Sequence, residues 1–162
     1  MRENSTKEGV DMNFERLKEL RSYEGYTQQD VANFLNVKRA TYAGWETGKD
    51  IIPLTQILKI ANNYHKSIDY IIGLSDNDEK VTYKINNIDI NTVANNIHNY
   101  RKKNNITQSM MAKDLQTTQS NIHKYETGKC LITTMYALEF AKRYNYSIDK
   151  LIGREETKKP KK

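Results

Sequence analysis

Two stretches, "WETGK" at residues 45–49 and "YETGK" at residues 125–129, decide how this chain is read. They lie 80 positions apart, and the same offset holds on either side of them without a gap. Sliding residues 14–73 onto 94–153 matches Arg21 to Arg101, Thr27-Gln28 to Thr107-Gln108, Ala32 to Ala112 and Leu35 to Leu115. Further along it matches Leu58 to Leu138, Ala61 to Ala141, Tyr64 to Tyr144, "SID" at 67–69 to "SID" at 147–149, and Ile72-Gly73 to Ile152-Gly153. Register held over about 60 positions marks an internal duplication. Two copies are too few for a solenoid, whose repeats need stacked neighbours, so each copy is expected to be a self-contained domain. The length of 162 residues suits two such units, each near the lower limit of roughly 60 residues at which a chain folds alone.

Composition excludes several function classes. Hydrophobic residues make up 37% and charged residues 28% of the chain, and no apolar run approaches the roughly 18 residues a membrane span needs. The opening "MRENSTKEGVDMN" lacks the apolar core of a secretory signal, so a cytoplasmic protein is expected. Cys130 is the single cysteine and cannot form an internal disulfide. His65, His98 and His123 have no cysteine or carboxylate partners at ligand spacing, so no metal or other cofactor is expected. There is no Ser/His/Asp cluster and no phosphate-cradling glycine loop, which argues against an enzyme.

Hydrophobic periodicity predicts five short helices per copy and an all-α protein. In the first copy Phe14, Leu17, Leu20 and Tyr23 recur every three residues in a segment without Gly or Pro, the pattern of an amphipathic helix. Gly25 stops it. Thr27 is placed to cap a second helix with Val31, Ala32, Phe34 and Leu35 on its apolar face. After Asn36 and Val37, the segment "KRATYAGWETG" predicts a third helix with Tyr42 and Trp45 inward and Gly48 at its end. Pro53 can open a fourth helix, with Ile57, Leu58, Ile60, Ala61 and Tyr64 as its stripe. "SIDYIIG" makes a fifth. The second copy repeats the scheme through Ile97 and Tyr100, Met111, Ala112 and Leu115, Ile122 and Tyr125, and Leu138, Ala141 and Tyr144.

The run "TQQDVANFLNVKRATYAGWETGK" followed by "SIDYIIG", and its repeat "TQSMMAKDLQTTQSNIHKYETGK" with "SIDKLIG", resemble the Cro/C1-type helix-turn-helix family, which includes the xenobiotic-response-element-type bacterial regulators. The resemblance covers most of both copies. It implies two tandem five-helix lambda-repressor-like domains, at 12–74 and 92–153. It also implies a sequence-specific regulator of transcription, expected to be a repressor of its own operon or of a mobile-element module, with double-stranded DNA as partner. In such domains the third helix lays its N-terminal side chains on base edges in the major groove. The third helix of copy one offers Arg39, Ala40, Thr41 and Gly44, with Lys38 at the turn; that of copy two offers Gln119, Ser120, Asn121 and Lys124, with Thr118 as N-cap. By the family's pattern, positions 39, 40 and 44 and their counterparts 119, 120 and 124 are base readers. Arg39 suits guanine and Gln119 suits adenine, each such pair contributing roughly 1–3 kcal/mol of discrimination. Ala40 can touch only a thymine methyl, and Gly44 reads nothing. Lys38 departs from the hydroxyl or carboxamide cap usual in the family. Every one of these positions also fits an ordinary solvated helix face.

The resemblance gives further residues a role. Gln28 and Gln108 become phosphate contacts that also buttress the third helix, and Lys49 and Lys129 reach toward flanking phosphates or stay surface lysines. It also explains the repeated pentapeptide. Trp45 and Tyr125 pack inward, Gly48 and Gly128 close the third helix, and Glu46 and Glu126 pair with Arg21 and Arg101, each 25 positions earlier. Such buried bridges hold geometry more than they add stability.

Charge is unevenly divided. Residues 1–74 are neutral and 75–91 carry −2, while 92–153 carry +5 and the tail 154–162 carries +3. Copy two with its basic tail is therefore the expected electrostatic anchor on DNA. Copy one either binds through Lys38 and Arg39 or serves a homodimer or another protein partner, as in an antitoxin. Between the copies, "SDNDEKVTYKINNIDIN" reads either as a small hairpin about Asn86-Asn87 or as an extended linker whose isoleucines tuck against the second domain. High Asn, Lys, Ile and Tyr content hints at a bacterial or phage genome.

Overall fold

The computed structural model describes residues 14–155. The expected domain start at residue 12 and the lysines of the tail lie outside them. Ten helices follow one another, five to a copy, and no strand occurs among the described residues. In the first copy these are α1 (Glu15–Tyr23), α2 (Gln28–Leu35), α3 (Arg39–Glu46), α4 (Leu54–Tyr64) and α5 (Ile68–Ile71). In the second they are α6 (Ile90–Lys103), α7 (Gln108–Asp114), α8 (Gln119–Glu126), α9 (Thr134–Tyr144) and α10 (Ile148–Leu151).

The duplication extends to backbone conformation. Gly25, Asn36, Gly48, His65 and Gly73 all have positive φ, and so do Asn105, Gln116, Gly128, Asn145 and Gly153, each 80 positions on. Every helix-terminating left-handed residue thus recurs in register, although only two of the five pairs are glycine in both copies. Asn tolerates this region through local hydrogen bonding of its short side chain, which is how Asn105 replaces Gly25.

The starts are fixed by side-chain caps. The Thr27 hydroxyl accepts from Asp30 N at 3.1 Å, and the Asp30 carboxylate accepts in return from Thr27 N at 2.7 Å, a reciprocal arrangement that satisfies two orphan donors. These bonds hold the Asp30 carboxyl below its ordinary range. Thr107 repeats the cap alone, accepting from Met110 N at 3.1 Å. The buried apolar side chains form one contiguous cluster through both copies, with Leu17, Leu35 and Tyr42 fully buried in the first and Ile97, Met111 and Ile122 in the second.

Two apolar expectations fail. Tyr23 is 88% exposed and Phe34 is 51% exposed, so neither belongs to the core face expected of it, Tyr23 by its three-residue spacing and Phe34 as part of the apolar face of the second helix. Tyr23 is the last residue of α1, where the stripe has turned away from the core. The hairpin between the copies is also absent. The linker is extended and hydrogen-bonded to the first copy, with Val81 N donating to His65 O and Asn62 Nδ2 donating to Ile85 O, both at 2.8 Å.

The copies meet through their fifth helices. The Asp69 carboxylate accepts from Ile148 N at 2.8 Å and from the Ser147 hydroxyl, while the Asp149 carboxylate accepts from Asp69 N at 3.2 Å. Beside them Arg154 is 1% exposed. Its guanidinium donates to Asp149 and reaches the first copy at Asn62 Oδ1 (3.1 Å) and Lys66 O (3.0 Å), and it lies over the Tyr83 ring. Arg154 opens the basic tail of the sequence, and its burial makes it part of the joint instead. Thr134 Oγ1 adds a bond to Ile52 O at 2.7 Å. Burial, and then the Asp69 charge, push the Asp149 carboxyl above its ordinary range despite Arg154.

Candidate nucleic-acid interface

Each third helix is held by a glutamate at its last turn. In copy one, Arg21 Nε lies 2.5 Å from Glu46 Oε1 and Nη2 lies 3.2 Å from Oε2, and Gln28 Nε2 donates to the same Oε2 at 2.9 Å. In copy two, Arg101 grips Glu126 through Nε and, at 2.9 Å, Nη2, while Gln108 Nε2 donates at 3.0 Å and the His98 ring approaches at 3.1 Å. One carboxylate therefore ties together the first, second and third helices of its unit. Burial pushes the Glu126 carboxyl up, but the bonds from Arg101, Gln108 and His98 outweigh it and bring it down to about 2. Glu46 shows the same contest and the same downward result.

Both reading helices leave their N-terminal turns in solvent. Lys38, Arg39 and Ala40 are exposed at the start of α3, as are Thr118, Gln119 and Ser120 at the start of α8. Lys124, Lys49 and Lys129 are exposed as well, whereas Thr41 and Asn121 are half-buried, and Asn121 donates to Thr117 Oγ1 at 2.9 Å. The two starts differ in their caps. Thr118 Oγ1 accepts from Asn121 N at 3.2 Å, but Lys38 sits at the N-cap of α3 with no side-chain bond. Arg39 is oriented in another way, by donating from Nη1 to Gln28 Oε1 at 3.2 Å. The chain Glu46–Gln28–Arg39 is thus continuous, so Gln28 acts here as a buttress.

Gly44 is a correction. Expected on the exposed face of the third helix, it is buried, because Asp50 folds back over it. A Cβ at this position would run into the Asp50 carboxylate, with Asp50 Cγ at 3.2 Å. The counterpart Lys124 is open to solvent. His123, weighed in the sequence only as a metal ligand, is exposed beside Lys124 on α8. Sequence reasoning missed Asp69, Asp149 and Arg154. The repeated "SID" was the available signal, but it was read as the start of a helix and nothing more.

A short helix set against its predecessor through a tight turn, its first turn free and its last turn pinned, defines a helix-turn-helix unit. This chain has two in tandem. The helix-turn-helix family matches residues 17–71 and a second helix-turn-helix domain family matches residues 94–156, so the chain belongs to the helix-turn-helix proteins. It is similar to the uncharacterized HTH-type transcriptional regulator YobD of Bacillus subtilis (strain 168), with 34% identity over 71 residues, 43% of this chain and 63% of that one. The HTH-type transcriptional regulator ImmR of the same organism shares 34% over 65 residues, 40% of this chain and 51% of its own. A third relative there, the SPbeta prophage-derived uncharacterized HTH-type transcriptional regulator YonR, shares 38% over 58 residues, 36% of this chain and 54% of its own. The chain thus spans between half and two thirds of the length of the relatives it matches. No solved structure matches it with significance. No helix among the described residues is long and apolar enough to cross a membrane.

Proposed function

We propose that the protein is a sequence-specific DNA-binding regulator of transcription that acts as a repressor by occupying its operator. The observation that carries this reading is the pair α3 and α8, each exposed at its N-terminal turn and pinned at its last turn, by Glu46 to the half-buried Arg21 and by Glu126 to the buried Arg101. Arg39 and Ala40 on α3, and Gln119, Ser120 and Lys124 on α8, are the base readers. Gln108, Lys38, Lys49, Lys129 and the hydroxyl of Thr118 contact phosphates, with Thr41 and Asn121 at the margins of the two faces. The excess of +5 in residues 92–153 supplies more of the sequence-independent attraction than the neutral first copy.

Binding of the wild-type chain to duplexes selected from a random pool tests the reading, with a promoter fusion carrying the selected site reporting the direction of control. Enrichment of one motif and lower reporter output support it. Failure to enrich any sequence removes it. A second reading, a protein-partner role for the first copy, draws on the exposed aromatic rings of Tyr23, Tyr26 and Phe34 in that unit, since an apolar surface of this kind favours partners.

A further inference from the structure

We infer that the chain is an internal pseudo-dimer: a single chain, unaided by a second, presents both reading helices to one DNA site with two unlike halves. The inference rests on the DNA-reading role proposed above and adds stoichiometry and operator symmetry to it.

The joint between the copies has the form of a two-fold interface. In such an interface residue i of one unit meets j of the other, and the counterpart of j meets the counterpart of i. Asp69 and Asp149 are counterparts, and each accepts a backbone N–H from the first turn of the other's helix. The flanks bring counterpart positions to the same two places, bonded on one side and open on the other. On one side Arg154 of the second copy bonds Asn62 and the Lys66 carbonyl. On the other, the counterpart of Arg154 is Leu74, which lines a cleft of about 470 Å³ with Lys142 and Tyr146, the counterparts of Asn62 and Lys66.

The surface through which two chains would pair in this way is therefore already occupied within one. Ile68 and Ile148 are fully buried, Asp149 is 4% exposed, and the Ile52 carbonyl is taken by Thr134. A tether holds its two ends at an effective concentration in the millimolar range when its length matches the span. The linker here is further fixed by the bonds at Val81 and Ile85. A second chain at ordinary concentration does not displace such a neighbour.

A two-fold relation carries α3 onto α8, as the dyad of a duplex carries one half-site onto the other. The side chains so related are unlike. Arg39, Ala40 and the covered Gly44 stand against Gln119, Ser120 and Lys124. A bidentate guanidinium selects guanine and a carboxamide selects adenine, so a palindrome satisfies one copy and mismatches the other. The preferred site is bipartite and not palindromic.

The test combines selection from random duplexes with native mass measurement of the selected complex and sedimentation of the free chain. Three chains are compared: wild type, Arg39→Ala, and Gln119→Ala with Lys124→Ala. All three altered side chains are exposed, and thermal melting confirms that the fold is kept. The expected result is a monomer in solution and one chain per duplex, on two dissimilar half-sites about 10 base pairs apart. Arg39→Ala relaxes preference in one half, the double variant relaxes it in the other, and each lowers affinity about tenfold or more. A palindromic site carrying two chains, or a free dimer, overturns the inference while leaving the DNA-reading role intact. No enriched sequence at all overturns that role, and the pseudo-dimer reading of DNA falls with it.

Discussion

Tyr64 and Tyr144 are the same residue in two settings, and the comparison isolates one hydrogen bond. Tyr144 Oη donates to Asp114 at 2.9 Å, while the buried Tyr64 hydroxyl has no partner among the described residues. The counterpart of Asp114 in the first copy is Phe34, half out in solvent. Phe34→Asp should return an acceptor to Tyr64 and raise the stability of the first unit by about 1 kcal/mol, read as a higher urea midpoint with an unchanged slope. The glutamate clamps make the opposite case. Glu126→Gln leaves the Arg101 guanidinium, 9% exposed as a side chain, without its counter-charge, and should cost about 3–5 kcal/mol. The acid limb of the wild-type stability profile follows from the same group. Its pKa is depressed in the folded chain, so its contribution is complete above 4.5 and drains away as the pH falls toward about 2; in Glu126→Gln that limb should flatten.

The start of α3 offers a sharper test at the level of elements. Thr118 caps α8 where Lys38 leaves α3 uncapped, so Lys38→Thr should stabilise the first unit by about 1 kcal/mol. If Lys38 also contacts a phosphate, the same change lowers the slope of log affinity against log salt by about 1. A rise in stability with an unchanged slope would leave Lys38 a turn residue only. The helices themselves were legible because the duplication supplied each boundary twice: Gly48 and Gly128 close the third helix, Thr27 and Thr107 open the second. Tyr23 misled because period-three spacing cannot say where a stripe leaves the core, and Phe34 because apolar character alone does not fix how wide the buried face of α2 is. Gly44 misled because the residue covering it, Asp50, lies beyond the end of α3, and only the returning chain brings the two together. Arg154 was hidden more deeply. Its partners Asn62 and Lys66 are 92 and 88 residues away in the other copy, and nothing in a lysine-rich terminus marks one arginine as interior.

The joint between the copies should set how cooperatively the chain unfolds. Arg154→Ala removes the cation beside a buried carboxylate and the bonds to the first copy, which should split a single unfolding transition into two in calorimetry. The joint also responds to pH with a sign opposite to that of the Glu126 clamp. Burial and the Asp69 charge hold the Asp149 pKa above its ordinary 3.8, so its contribution to docking is full below that value and is lost as the pH rises through the raised one. Amide exchange at Ile148, whose N–H is bonded to the Asp69 carboxylate across the joint, should therefore be slower at pH 5 than at pH 7 after correction for intrinsic rates. The 80-residue offset has one more consequence, for heredity. In an assembly of identical subunits every mutation arrives in both halves at once, and a recognition surface changes on two sides or not at all. Here both halves are encoded in sequence along one chain, and a base change that alters Gln119 leaves Arg39 as it was. Such a protein can follow a drifting target site one half at a time, keeping a grip with the unaltered half while the other is rewritten.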